Sequence, residues 1–163
     1  LRATYEWTPP ADLAAKILHL RGRKERELAK ETERRRNLKE GRGGLLDVEF
    51  LTQYLQLLHG PKHPELRIPQ TLTALDALTR LHLLPVEMSD ELKRGYTLLR
   101  LVENGLRLLY DESTNTLDLD QLPDDIITPL LRRHGFDVNS LAPAVLHATS
   151  RIRGHFQSIF NDQ

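Results

Sequence analysis

Leucine dominates the apolar residues of this chain and recurs at helical spacing, whereas valine and isoleucine, which favour strands, are scarce. Residues 45–59 carry apolar side chains on two faces of a helix, so we expect that helix to lie deep in a core. Similar patterns predict further helices over residues 70–84, from Ser89 or Asp90 to about Tyr110, through Leu130 and Leu131 up to Gly135, and from a cap at Ser140. The chain is therefore predicted to be all-α, a single bundle of about six helices with short connections and no sheet.

The start of the chain is predicted to be helical as well. Thr8 followed by Pro9 is typical of a helix start, with threonine as the cap and proline at the first helical position. Residues 21–36 are almost all charged, and acids precede bases at helical spacing, as Glu31 precedes Arg35. This pattern favours a solvated helix over a basic binding patch, because glutamates interrupt the positive run.

Length and composition fit a single domain, with residues 1–36 as a leading charged helix and residues 37–163 as the bundle core. The 23 basic and 23 acidic side chains balance, so no net field attracts nucleic acid or an anionic membrane. The chain has no cysteine and no apolar run long enough to span a membrane, so we expect a cytoplasmic protein. It opens without a methionine, which suggests a fragment of something longer.

The turn before the buried helix, within NLKEGRGGLLDVEF, crowds glycines, bases and acids together: Lys39, Gly41, Arg42, Gly43, Gly44, Asp47 and Glu49. The glycines permit backbone angles that are closed to other residues, and they leave backbone N–H groups open to an anion at the helix N-terminus. The two acids would complement the helix dipole. Local physics favours a structural turn, while an anion-binding or partner-binding surface stays open.

Other polar residues give weaker signals of chemistry. Asp118 and Asp120 form a D-x-D pair that could hold Mg²⁺, but neither a strand nor a glycine-rich turn is predicted beside them. His59 and His63 are separated by Gly60 and Pro61, which end the helix, so they cannot share a helix face as a metal pair would. No metal site and no catalytic residue is therefore assigned to the chain itself.

A line of charge runs along the predicted helix that ends near Tyr110. Arg100, Glu103 and Arg107 lie at positions i, i+3 and i+7, on an otherwise apolar helix. They form either an intrahelical ladder of ion pairs or a polar seam that faces a partner domain, and the sequence leaves both open. Gly105 within the same helix indicates close backbone packing.

Several of these segments together resemble one family. NLKEGRGGLLDVEFLTQYLQLLHG is similar to the signature K-x-G-x-G-G-[LI]-x-[DE]-[IV]-E-F-x-x-Q of the glutamine synthetase adenylyltransferases. YTLLRLVENGLRLLYDESTNTL resembles a second family segment, L-R-x-x-E-x-x-L-R followed by an acidic turn. LPDD, the turn at Gly135 and Phe136, and the closing R-x-R-x-x-F at Arg151, Arg153 and Phe156 also fit. The resemblance covers residues 37 to 160.

The resemblance implies an all-helical domain that follows a nucleotidyltransferase domain in a large bifunctional enzyme. Such an enzyme attaches AMP from ATP to a tyrosine of glutamine synthetase and removes it by phosphorolysis, under regulation by PII proteins and glutamine. Mg²⁺ and ATP would be held by the parent enzyme and not firmly by this chain, since the family's glycine-serine turn and metal-binding aspartates lie upstream. The chain alone should be inactive, with the upstream domain, glutamine synthetase and PII as partners.

The resemblance also assigns site residues in this chain: Lys39, Gly41, Gly43, Gly44, Asp47, Glu49 and Gln53 from the first motif, and Arg100, Glu103 and Arg107 from the second. It implies that the glycine turn packs at the mouth of the catalytic cleft, where Lys39 and Arg42 would face phosphate. DVEFLTQYLQL favours the C-terminal, adenylylating half of the parent, although DESTNTL is common in the other half. The alternatives are the helical domain of a PII uridylyltransferase and a free-standing helical interaction module.

Overall fold

Six α-helices contain most of the residues that the computed structural model describes, which are 8–110 and 114–161. The helices are α1 Leu13–Lys24, α2 Leu45–His59, α3 Thr71–Arg80, α4 Val86–Tyr110, α5 Asp124–Arg133 and α6 Leu141–Asn161. Two short strands, β1 Arg35–Asn37 and β2 Thr116–Asp118, pair antiparallel with Arg36 opposite Leu117. The all-α prediction is confirmed, but the prediction that no sheet would form is wrong.

Helix α2 lies at the centre of the core, as its two apolar faces predict. It packs against α1, α3, α4 and α6, and nine of its 15 residues are buried. The buried amide of Gln56 near its end donates hydrogen bonds of 2.7 Å to the carbonyl oxygens of Leu66 and Ile68, which ties the following loop to the helix. A central helix surrounded in this way fixes the positions of every residue that it carries.

Helices α4 and α6 form the most extensive helix pair. Gly95 of α4 leaves room for Ile152 of α6, because a Cβ atom there would lie 3.0 Å from the side chain of Ile152. Further along α4, Gly105 faces Ile127 of α5, so the predicted close packing at Gly105 is confirmed. None of the described helices combines the length and the apolarity needed to cross a membrane.

The N-terminal segment differs most from its prediction. Helix α1 begins at Leu13 and not at Pro9 with Thr8 as its cap. Within the charged run the helix ends in a π-helical turn, Glu25–Ala29, which is followed by Lys30 at a φ of 46°. The continuous solvated helix over residues 21–36 is therefore wrong.

The helix does not continue to residue 36 because the residues after Lys30 form hydrogen bonds with the glycine turn and with β2 instead of i,i+4 ion pairs within a helix. The carboxylate of Glu31 accepts backbone N–H groups of Asn37 and Arg42, at 3.0 and 3.1 Å, instead of pairing with Arg35. The backbone of β1 is hydrogen-bonded to β2, which removes it from any helix.

The later helices follow the predicted order with shifted ends. Helix α3 ends at Arg80, short of residue 84, and α4 begins at Val86, ahead of the predicted start at Ser89 or Asp90. Within the predicted polar turn, residues 116–118 form β2, while residues 111–113 lie outside the described residues. Helix α6 starts one residue after Ser140, and its first N–H is accepted by Asp124 at 2.8 Å.

Candidate functional site

The two acids of the first motif point to different sides of α2. Asp47 and Glu49 are two positions apart, a spacing that places side chains on opposite faces of a helix. Asp47 is fully buried and faces α1 and α6, whereas Glu49 is 22% exposed and faces α4. One short motif therefore contributes to two separate sites.

The first site is a buried ion cluster of Arg21, Glu25, Asp47 and Arg153. The carboxylate of Asp47 lies 2.5 Å from Nε of Arg21 and 3.1 Å from Nη1 of Arg153. Glu25 completes the cluster, at 3.4 Å from Arg21 Nη1 and 3.0 Å from Arg153 Nη1. Arg21 is only 1% exposed, so both charges of its pair with Asp47 are removed from water. Buried charges persist in proteins only when they are paired in this way.

The buried ion cluster also holds the glycine turn, residues 39–44, in place. Arg21 Nη2 donates a 2.6 Å hydrogen bond to the carbonyl oxygen of Gly41, and Asp47 Oδ2 accepts the N–H of Gly43 at 2.8 Å. The contacts of Asp47 thus join the start of α2 to α1, to α6 and to the turn, while Glu25 links Arg21 to Arg153. The cluster acts as a structural clamp on the turn.

The backbone N–H groups of the turn are already satisfied, so the expectation that they are open to an anion is wrong. The N–H of Gly41 donates to the carbonyl oxygen of Asn37, and the N–H of Gly44 donates to the carbonyl oxygen of Gly41. The N–H of Arg42 donates to the carboxylate of Glu31, and all three distances are 3.0–3.1 Å. The next two N–H groups, of Leu45 and Leu46, are accepted by the carbonyl oxygens of Leu38 and Lys39. The turn therefore has no free cradle of backbone donors for a phosphate.

Close packing requires glycine at three of the turn positions. Gly43 has a φ of 73°, and a Cβ atom there would collide with the backbone carbonyl of Thr149 on α6. A Cβ atom on Gly41 would collide with the carbonyl oxygen of Asn37, and one on Gly44 with the carbonyl oxygens of Leu38 and Lys39. Gly43 is explained by the seating of the turn against α6, whereas Gly41 and Gly44 are explained by the folding of the chain on itself around the turn. The turn offers its side chains Lys39 and Arg42 to solvent. Lys39 is 41% exposed, with its ammonium 3.9 Å from Glu40.

The second site contains the polar seam, Arg100, Glu103 and Arg107. The predicted ladder is present: Arg100 Nη1 lies 2.9 Å and Arg107 Nη2 lies 3.2 Å from the carboxylate of Glu103. Glu103 is 1% exposed, whereas the two arginines are 42% and 45% exposed. A buried acid thus anchors two guanidinium groups that remain accessible from solvent.

The polar seam continues across α2 through Glu49. Oε1 of Glu49 lies 3.3 Å from Arg100 Nη2, and it accepts a 3.0 Å hydrogen bond from the hydroxyl of Tyr96. Burial raises the pKa of Tyr96, so its phenol stays protonated as the donor. Gln53, one helical turn after Glu49, is exposed and lines a groove of about 200 Å³ beside it. We call the polar seam together with Glu49, Gln53 and Tyr96 the seam face.

The seam face joins two segments that are far apart in the sequence. Glu49 belongs to the first motif and Arg100 to the second, 51 positions later. Asp47 in the same way joins the first motif to Arg153 of the closing R-x-R-x-x-F. The three segments selected from the sequence therefore converge around α2.

Comparisons with known proteins support the same grouping. The family model described as GlnD PII-uridylyltransferase matches residues 11–160. The chain belongs to this family. Among curated relatives, the bifunctional glutamine synthetase adenylyltransferase/adenylyl-removing enzyme of Bradyrhizobium diazoefficiens is 38% identical over 127 residues, 76% of this chain and 12% of the relative. The enzyme of the same name from Alteromonas mediterranea is 38% identical over 141 residues, 83% of this chain and 14% of the relative.

The chain thus spans only about an eighth of the length of the relatives that it matches. The resemblance to the glutamine synthetase adenylyltransferases is confirmed by the names of these relatives. The domain that matches this family is the helical bundle that carries the buried ion cluster and the seam face.

Three residues of the two sites, Arg21, Glu25 and Tyr96, are not identified as site residues from the sequence. Arg21 follows Leu13 and Ile17 at a spacing of four, so its place on the apolar face of α1 was readable from the pattern. In the sequence Tyr96 reads as one of the apolar residues of α4, although its hydroxyl donates a hydrogen bond to Glu49. Nothing local in the sequence indicates that second contact, because it joins residues 47 positions apart.

The acids of the D-x-D pair are engaged by arginines. Asp118 lies 3.8 Å from Arg35, and Asp120 lies 3.3 Å from Arg34, so each acid of the D-x-D pair already faces a guanidinium. Within residues 8–110 and 114–161, no group of three or more His, Asp or Glu side chains could hold a metal ion. These residues do not fit Mg²⁺, and no step is assigned to a metal in this chain.

Proposed function

We propose that this chain is the helical domain of a bifunctional glutamine synthetase adenylyltransferase/adenylyl-removing enzyme. The parent would attach AMP from ATP to a tyrosine of glutamine synthetase and remove it again, and this domain would position the reacting partners without supplying a catalytic group. The observation that carries the proposal is the contact of Glu49 with Tyr96 and Arg100, which joins the two family segments at one accessible surface. The shared name of the curated relatives supports the choice of substrate.

The seam face is suited to contact the upstream nucleotidyltransferase domain. Arg100 and Arg107 are fixed by the buried Glu103. Each guanidinium carries five N–H donors, of which Arg100 uses four on Tyr96, Glu103 and Glu49, whereas Arg107 uses one on Glu103. Side chains that are held in place before binding lose less conformational entropy when a partner arrives. We infer that the spare donors meet carboxylates or backbone carbonyls of the neighbouring domain or of glutamine synthetase.

The glycine turn would present a second docking element. Its backbone is fixed by the buried ion cluster, and Lys39 and Arg42 extend from it towards solvent. We propose that these side chains contact the catalytic domain at the mouth of its cleft. The upstream domain would hold Mg²⁺ and ATP, and PII would act on the parent in the cytoplasm. We favour the C-terminal, adenylylating half on the strength of DVEFLTQYLQL.

The test is the rate of AMP transfer to glutamine synthetase by the full-length parent. The double variant Arg100→Gln with Arg107→Gln should lower kcat/KM at least about tenfold, the loss expected when charge-assisted contacts are removed. Arg80→Gln, an exposed arginine of α3, is the matched control and should leave the rate unchanged. A double variant that folds normally and transfers AMP at the parent rate would overturn the docking role.

A PII uridylyltransferase is the second candidate, because the matching family model carries that description. The two candidates differ in the protein substrate and the nucleotide. Purified parent enzyme is offered glutamine synthetase with ATP, and PII with UTP. Transfer of AMP to glutamine synthetase alone supports the first candidate, and transfer of UMP to PII alone supports the second.

A further inference from the structure

A second surface of the molecule, on the side of α6, collects positive charge. A groove of about 490 Å³ lies between the glycine turn and α6. Its polar lining consists of arginines and neutral donors, and the residues used below are Arg36, Arg42, Ser150, Arg153, Gly154 and Gln157. No aspartate or glutamate of the described residues lines this groove.

The acids nearest to the groove are already committed elsewhere. Glu31 uses both carboxylate oxygens on the backbone N–H groups of Asn37 and Arg42, and not on their side chains. Asp47 and Glu25 contact Nη1 of Arg153 from the buried side. Among the described residues no carboxylate lies within ion-pair distance of the guanidinium groups of Arg36 and Arg42. The groove therefore keeps two positive charges without a partner.

Two donors in the groove are buried and unsatisfied. Nε of Arg36 and Nε of Arg153 are shielded from solvent and have no hydrogen-bond partner among the described residues. A buried donor without a partner is costly, and the common explanation is an ion or a water that completes it. Both arginines line the basic groove, so their guanidinium charge is what the groove offers to an anion.

Gly154 is an exposed residue of α6 that lines this groove. It lies inside α6, where glycine costs about 1 kcal/mol relative to alanine. A Cβ atom there would meet no other atom within 4 Å, so packing does not require glycine at this position. This differs from Gly43 and Gly95, which are needed for close approach. The open space beside Gly154 belongs to the groove.

We propose that this groove binds a phosphate group. A phosphate dianion matches the two uncompensated guanidinium groups, and its three oxygens can accept from Arg36, Arg42 and Arg153 together. Ser150 and Gln157 add neutral donors at the rim. The phosphate comes either from orthophosphate or from a nucleotide. The groove shares no residue with the seam face, but it shares Arg42 with the glycine turn, so the inference is independent of the docking role of the seam face alone.

The test is titration of the chain with orthophosphate and, separately, with AMP, followed by amide NMR, with sodium chloride at matched ionic strength as the blank. We expect saturable shifts at Arg42, Ser150, Gly154 and Gln157 with both phosphate ligands and none with chloride. Tighter binding of AMP identifies a nucleotide as the source, and equal binding identifies the phosphate group alone; either result supports the proposal.

Variants localise the binding. The double variant Arg36→Gln with Arg42→Gln should weaken phosphate binding at least about tenfold, as expected for the loss of charge-assisted contacts. Gly154→Leu should also weaken phosphate binding, because the larger side chain fills the open space beside residue 154, while Arg80→Gln should not weaken it. Folding of each variant is checked by circular dichroism, and Arg153 is left unchanged because it belongs to the buried ion cluster. No saturable binding by the folded chain, or binding that the double variant leaves intact, would overturn the proposal.

Discussion

The buried ion cluster and the seam face use similar residues, two positions apart on one helix, with opposite consequences. Asp47 is fully buried between Arg21 and Arg153, whereas Glu49 reaches a half-exposed arginine and a tyrosine. The difference shows that a family signature need not mark one site. Half of this motif stabilises the turn, and the other half remains accessible to a partner.

The largest effect is expected at the buried ion cluster. Asp47→Ala would leave Arg21 and Arg153 without their shared carboxylate and free the N–H of Gly43. The free energy of unfolding should fall by about 3–5 kcal/mol, the usual cost of breaking a buried pair from one side. Urea denaturation measures it. A loss below about 1 kcal/mol, typical of a surface pair, would contradict the burial of this cluster.

The next largest effect is a difference in stability between alanine substitutions at two glycines, Gly43 and Gly154. Gly43→Ala should destabilise the fold by at least about 1–3 kcal/mol, because alanine is strained at positive φ and its Cβ would collide with Thr149. Gly154→Ala is the matched control and should stabilise the chain by about 0.5–1 kcal/mol, since its Cβ enters open space in a helix. Thermal unfolding of both variants compares them directly, and equal shifts of Tm would show that the turn is not seated on α6.

The seam face should contribute less to stability than the cluster does. Arg100→Gln removes contacts of a side chain that is 42% exposed, so the free energy of unfolding should change by less than about 1 kcal/mol. Glu103→Gln is the informative companion, because its carboxylate is buried between two arginines and its loss should cost more. If Arg100→Gln proved the more harmful of the two, the buried carboxylate would not be the anchor of the seam.

The smallest expected effect is a pH dependence of the free energy of unfolding, which comes from Glu91 of α4. Hydrogen bonds from His155 and Arg151 lower the pKa of Glu91. Because its folded pKa is lowered, the stabilisation is present above the unfolded pKa and is lost as pH falls through the folded pKa. Glu91→Gln should therefore cost less than about 1 kcal/mol at pH 7, given its exposure, and nothing at strongly acidic pH. A cost that does not shrink on acidification would mean that the pairing is not electrostatic.

The helices were predictable from leucine periodicity because burial of an apolar face is a local pattern. Helix α2 and Gly105 show this most clearly, as each is packed where the sequence placed it. The end of the charged run was not predictable, because β1 forms through β2 some 80 positions later. The seam could be identified as a line of charge, but its continuation to Glu49 depends on how α2 and α4 pack.

The most direct test of the central claim compares Asp47→Ala with Glu49→Ala in the full-length parent, measuring the free energy of unfolding and the kcat/KM of AMP transfer for each. The account predicts that Asp47→Ala loses several kcal/mol of stability, whereas Glu49→Ala stays within about 1 kcal/mol of the parent and loses transfer activity at an unchanged fold. Equal losses of stability in both variants, or full transfer activity in a folded Glu49→Ala enzyme, would contradict the division of this motif into a structural half and a docking half.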